Sequence, residues 1–363
     1  MIEDADSSLL VIDTGGWFRI SCPSSKVAKP EVLGAIYRIR RSDSQSASDP
    51  RGLLIDWNGK SSTLVSRLDD RRPVVRDRAI DLFSRRGDAA VPPLARALKS
   101  LSIQKRRNAV WALSRIETAI ARQSILMGLS DADPTVRQAA VRSVGTLSLK
   151  AAVPRLIEIL SNDTDSVRQA VATALGQIGD RKAVEPLLEA AGRGGDDFLM
   201  RALVYALIEI GDFERTAQGL TGSSARVQQS ALVAMNQMDP GRINQGHVSP
   251  LLESDDIALR RTALDIVTNR DGWSDQIIQF LSEWTKKTKI NEAETKIARG
   301  AVAAFAADKR VQQIIGATMD ATETACDKRF WTPSAKSIPC QAHGLNHSRN
   351  YSTTETTKYA CRS

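Results

Sequence analysis

Apolar side chains recur every three or four residues through the middle of this chain, with polar ones filling the positions between. Val136, Ala139, Ala140, Val144 and Leu147 form one such stripe, the pattern of an amphipathic helix with a single buried face. A break follows, then a second apolar run behind Pro154. This two-run phrase returns seven times. Its clearest copies read DPTVRQAAVRSVGTLSLKAAVPRLIEIL and TDSVRQAVATALGQIGDRKAVEPLLEAA. Aligned on the Arg of VRQA, the equivalent positions are Arg76, Arg106, Arg137, Arg168, Met200, Gln228 and Arg260, at intervals of 30, 31, 31, 32, 28 and 32 residues. A period of that size predicts an array of about seven helix pairs, each burying its apolar face only against its neighbours.

The punctuation agrees with the period. Acidic residues precede the first helix of several units (Asp69 and Asp70, Asp131 and Asp133, Asp163 and Asp165, Asp255 and Asp256), where carboxylates cap free N–H groups and suit the positive helix start. Gly-Asp pairs at Gly87, Gly179 and Gly211 predict helix ends, and Pro92, Pro154, Pro186 and Pro250 stand near the start of the second helices. The recurrent Arg needs an explanation, because a cation opposes the dipole at a helix N-terminus. The expected compensation is an Asp–Arg ladder of Asp133, Arg137, Asp165 and Arg168, with the acid from the same cap or from the neighbouring repeat.

Outside the array the pattern changes. Residues 8–13 and 34–41 are short β-type runs around a loop with Gly15, Gly16, Pro23 and Pro30, a sheet fragment too small to stand alone. The expected organisation is a β segment over 1–41, a linker over 42–63, an all-α solenoid over 64–320 and an irregular tail over 321–363. Residues after Trp284 still supply one or two helices to close the array. The tail has neither repeat nor helical period and is expected to be disordered.

Composition narrows the picture. Aromatics are 5% against 42% hydrophobic residues overall, so the core is built from Ala, Leu, Val and Ile. No apolar run approaches a membrane span of about 18 residues, and the acidic start MIEDADSSLL has no basic export region. Cys22, Cys326, Cys340 and Cys361 leave the array without cysteines, so it does not depend on disulfides. The net charge of +8 is local: residues 61–110 hold 12 Lys/Arg against 5 Asp/Glu. Arg71, Arg72, Arg76, Arg78, Arg85, Arg86, Lys105, Arg106 and Arg107 are therefore the candidate contact surface for an acidic protein partner. Nucleic acid fits poorly, because basicity stops after two repeats and stacking aromatics are scarce.

The D-x-x-VR-x-A opening, the A-L-G-x-I-G-D turn and the A-V-x-P-L-L second helix resemble HEAT repeats of the short bacterial, phycobilisome-lyase-like type. The resemblance covers about residues 64–285 and is strongest over 137–191. It implies a binding scaffold and no reaction. A second resemblance covers residues 7–57: SSLLVIDTGGWFRISCPSSKVAKPEVLGAIYRIRR and DPRGLLIDW look like the propeller end of membrane-bound dehydrogenases of planctomycete-type bacteria. In that family a propeller precedes a HEAT array and a cytochrome c domain follows, in an exported protein. Most of the propeller and any Cys-x-x-Cys-His haem site are lacking here.

Chemistry-bearing motifs are few. Gly59-Lys60-Ser61 imitates a phosphate loop, but Leu54 stands where the first Gly belongs, leaving a plain turn. Cys340, His343 and His347, with Cys326, are metal-ligand types at spacings that match no zinc finger. His247 sits in the NQGHVSP loop with no Ser or Cys partner, and no His precedes a Glu as in HEAT-type hydroxylases. The reading is a non-catalytic protein-interaction scaffold needing no cofactor, a segment of a dehydrogenase-like protein. The alternative is an oxidoreductase subunit whose catalytic parts lie in other chains.

Overall fold

The computed structural model describes residues 2–4, 8–13, 15, 33–40, 48–270, 273–285, 292–306 and 308–322. Cys22, Cys326, Cys340, His343, His347 and Cys361, with the rest of the tail, lie outside them. Met1–Gln312 is one compact unit, and Gln313–Ser363 is a second.

The periodic region folds as helix pairs in the expected register. After the short α1 (Ser61–Leu64) the pairs are α2 (Pro73–Arg86) with α3 (Val91–Ala97), α4 (Ile103–Leu113) with α5 (Ala119–Met127), and α6 (Pro134–Thr146) with α7 (Val153–Asn162). Then come α8 (Asp165–Ile178) with α9 (Val184–Arg193), α10 (Asp197–Ile210) with α11 (Phe213–Ala217), and α12 (Ala225–Met238) with α13 (Gln245–Leu252). The seventh pair is α14 (Ile257–Thr268) with α15 (Ser274–Thr285), and α16 (Glu292–Ala304) and α17 (Lys309–Thr322) follow in the chain after the sequence period has faded. The protein is an α-solenoid.

First helices pack on first helices of adjacent layers, most extensively along α6, α8 and α10. The cause is visible in the sequence. Gly145 of α6 meets Ala174 of α8, and Gly176 of α8 meets Ala206 of α10, so no side chain holds the backbones apart. At the equivalent place in α10 stands Ile208. A continuous buried cluster runs from Leu64 to Ala234, and separate buried side chains such as Leu251, Leu259, Val267 and Ile277 serve the last layers.

The turn chemistry holds in part: Pro250 lies inside α13 and not at its start, and α2 and α8 begin behind Arg72 and Thr164 without a side-chain cap from Asp70 or Asp163. Gly179 and Gly211 end α8 and α10 in the left-handed region, both at φ 70°. At the matching position after α6 the residue is Ser148, at φ 49°. Asp133, Asp196 and Asp256 cap α6, α10 and α14 through their side chains.

The β-type runs pair as expected, antiparallel, as β2 (Leu9–Asp13) against β3 (Ala35–Ile39), and β1 (Ile2–Glu3) adds a third short strand. Leu9, Tyr37 and Ile39 are exposed on one face, Ile12 and Ile36 on the other. The expected linker is folded where it is described. The side chain of Asp49 accepts the amides of Leu53 and Leu54, the Trp57 indole donates to the Gly52 carbonyl at 2.8 Å, and Gly52 approaches Val75 too closely to admit a Cβ. Residues 48–60 thus form a cap on the first layer.

Candidate functional site: the arginine seams and the second-helix clefts

The recurrent Arg turns away from its own helix start. Six residues earlier in the chain lies the end of the preceding second helix, whose free carbonyls carry the negative end of a helix dipole. Arg76 donates to the carbonyl of Asp70, Arg106 to that of Ser100, Arg137 to that of Asp131 and Arg260 to that of Ser254. Gln228 does the same without charge, reaching the carbonyl of Gly222 at 2.8 Å. The position asks for a long side-chain donor, and Arg supplies five N–H groups in a rigid fork.

Two of these arginines also cross to the next layer. Arg106 grips Asp131 with Nε and Nη2 at 2.7 and 2.9 Å, and Arg137 grips Asp163 with the same pair of nitrogens, both at 2.6 Å. Both pairs are largely shielded from solvent, and their paired hydrogen bonds raise the pKa of each arginine. Burial pushes the Asp163 carboxyl up, but the Arg137 guanidinium and the Thr164 amide outweigh it and leave the group below its usual value.

For Arg137 the acid comes from the neighbouring repeat, the second of the two expected sources. Asp133 does not pair with Arg137; it accepts the Thr135 hydroxyl and amide at the cap of α6, which holds its carboxyl low. Arg168 pairs with Asp165 inside its own helix at 2.7 Å and donates to the Leu160 carbonyl, so this pair joins no layers. The acid position of the next loop is Gly194, and after that Gly222.

Much of the basic cluster is engaged in contacts within the chain. Arg72 clamps Asp70 and Asp49, Arg78 stacks over Trp57 at 4.7 Å, and Arg86 donates to the Trp57 carbonyl and the Ser61 hydroxyl. These three fasten the cap of residues 48–60. The Arg72 hydrogen bonds, working against burial, hold Asp70 at a pKa of about 2. Arg85 pairs with Asp81 on the same helix, and Arg107 reaches Gln104. Arg71 is exposed, and Lys105 is half-buried.

His247 falls in the first turn of α13 and not in a loop. Its Nδ1 accepts the Asn244 amide while Asn244 caps the His247 amide, a reciprocal capping box. No cluster of three or more metal-ligating side chains occurs among the described residues. None of their helices is long and apolar enough to cross a membrane.

The open concavities lie between successive second helices of the later layers. One cleft, about 390 Å³, separates α9 from α11 and is bounded by Glu185, Glu189 and Arg215. The next, about 670 Å³, lies between α11 and α13 over Ala217, Leu220, Pro250 and Leu251. A third, about 420 Å³, lies between α13 and α15. Gln218 lines the first two, and the second and third flank α13. Periodicity marks these helices but says nothing about the spaces between them. Sequence reasoning had no signal for the clefts.

Residues 122–208 match the family model described as HEAT repeats. Among solved structures, Kap121p aligns at a TM-score of 0.51 and 12% identity, over 76% of this chain and 36% of that one. The CpcE–CpcF complex of phycocyanin lyase from a Nostoc species is 22% identical over 59% of this chain and 94% of that chain, at a TM-score of 0.34. A designed armadillo repeat protein is 17% identical over 49% of this chain and 99% of its own, at 0.30. No curated protein matches. The HEAT-repeat match and the Kap121p alignment support the HEAT-type solenoid as the fold; the dehydrogenase-propeller resemblance of residues 7–57 draws no support from the comparisons.

Proposed function

We propose that this chain is a non-catalytic scaffold that holds another protein against the face built by α9, α11, α13 and α15. The observation that carries the reading is the succession of three open clefts in consecutive gaps of that face. A solenoid offers such gaps at regular steps, which suits an elongated ligand contacted at several points. The basic cluster serves the stack: Arg72, Arg78 and Arg86 secure the terminal cap, and Arg106 ties two layers together. Selection of displayed peptides against the full chain tests the proposal. Binders should saturate and should be lost when Gln218→Trp fills the clefts it lines. Failure to select any binder, or binders indifferent to that substitution, would refute it.

A second reading, a repeat subunit working with dehydrogenase-like parts on other chains, rests on the resemblance of residues 7–57. It is favoured by one observation, the apolar side chains that β2 and β3 expose on both faces. Chemical crosslinking within the native complex should then join residues 33–40 to a second β-rich protein. Crosslinks confined to the chain itself would exclude it.

A further inference from the structure

We propose that the cleft between α13 and α15 receives a lysine or arginine side chain from an extended basic segment of the partner; this rests on the scaffold reading and gives its partner a chemistry. The cleft, about 420 Å³, has Phe280 and Trp284 in its wall and Glu253, Asp255 and Glu283 at its rim. Carboxylates beside an aromatic face attract an ammonium or guanidinium through both charge and ring quadrupole. The carboxylates of Glu253 and Asp255 are exposed to solvent. A second observation is independent of charge. The Gln276 side-chain oxygen, in the same wall, is buried without a hydrogen-bond donor. The oxygen is closed to solvent as placed, so a ligand N–H would satisfy it only where the wall opens to present it.

The neighbouring cleft sets the spacing. Across α13 the larger concavity is floored by Leu220, Pro250 and Leu251 and takes an apolar side chain. Packed helices lie about 8–10 Å apart. That distance is about three residues of extended chain, or one turn of polyproline II. The segment therefore carries a basic and an apolar residue three positions apart.

Short labelled peptides and the full chain, measured by fluorescence anisotropy, test this. One peptide carries Arg and Leu three apart; the others place them adjacent, replace Arg by Gln, or replace Arg by Glu. The first should bind saturably and weaken about tenfold in the combined Glu253→Gln, Asp255→Asn variant, and again when salt rises from about 0.05 to about 0.5 M. Both substituted side chains are exposed, and an unchanged helical melt will show the variant folded. The adjacent peptide should bind more weakly, and the Glu peptide should not bind. Equal binding of the Gln peptide, or indifference to the double substitution, overturns the cationic assignment and leaves the scaffold standing, provided Gln218→Trp still abolishes binding. If no peptide binds, or none responds to Gln218→Trp, both readings fall.

Discussion

The close approach of α6 to α8 makes a prediction whose sign is set by geometry. A Cβ added at Gly145 would lie 2.8 Å from Ala174 Cα, 2.9 Å from Ala174 Cβ and 2.5 Å from Gln177 Oε1. The amide of Gln177 can swing away; the backbone of Ala174 cannot. At Gly300, inside α16, nothing lies within 4 Å. Gly→Ala gains about 1 kcal/mol of helix propensity at either site. At Gly145 the helices must also separate, and a gap of about 0.5–1 Å forfeits a quarter to a half of each contact along the seam. Overpacking of this kind costs about 1–3 kcal/mol. Gly145→Ala should therefore lose about 1 kcal/mol while Gly300→Ala gains about as much. The melting temperatures, followed by circular dichroism at 222 nm, should differ by about 3 °C at the usual unfolding entropy per residue for a chain of this size. A Gly145→Ala protein that melts at or above Gly300→Ala would show that α6 and α8 are not in contact through this glycine.

Other outcomes follow from the turns and the charge pairs. Ser148→Gly should stabilise by about 0.5–1 kcal/mol by relieving a left-handed serine, and Gly179→Ser should do the reverse; urea midpoints decide both. Arg106→Glu should lower the melting temperature by several degrees, by leaving Asp131 facing a like charge, whereas Arg71→Glu, on an exposed side chain, should not. Asp70, Asp133 and Asp163 have folded pKa values below their unfolded ones. Their stabilisation is complete above the unfolded value and disappears as pH falls through the folded one. Stability should thus fall between about pH 4 and about pH 2, and Asp70→Asn should flatten that fall. An acid melt with the same slope in the Asn variant would count against the Asp70 assignment.

The helices were legible because each repeat writes its own apolar stripe, cap and turn within about thirty residues, and local patterns of that kind survive translation into structure. What joins the layers was legible only as two alternatives, an acid from the same cap or one from the neighbouring repeat. Asp133 is four residues from Arg137 and Asp163 is twenty-six away, yet Arg137 bonds the distant one. Sequence spacing favours the near acid; the stacking register, fixed by Gly145 against Ala174, selects the other. The local contacts of the basic cluster were hidden for a similar reason. Charge density along the chain cannot show that Arg72, Arg78 and Arg86 fold over the aperiodic residues 48–60. The clefts depend on the separation of helices that do not touch in sequence, so no residue announces them.

The seams and the clefts divide the solenoid between them. Arg–Asp pairs join the second layer to the third and the third to the fourth, and the glycine contacts Gly145–Ala174 and Gly176–Ala206 fall in the same stretch. Beyond it the acid positions are Gly194 and Gly222, the donor positions become Met200 and Gln228, Ile208 replaces the contact glycine, and the continuous core ends at Ala234. The three clefts fall from α9 onward, where the ion pairs between layers, Arg181 with Asp212 and Arg242 with Glu214, leave their arginines exposed. Layers tied through exposed pairs can adjust their spacing more readily than layers joined by shielded ones, and a face that must accommodate a bound segment benefits from such freedom. Amide hydrogen exchange should accordingly be slowest in α6 and α8 and faster in α12 and α14. A bound peptide of the basic–apolar type should slow the latter pair and leave the former unchanged. Uniform exchange across the array, or protection confined to α6 and α8, would mean that the seams confer no difference in stability and that the binding face lies elsewhere.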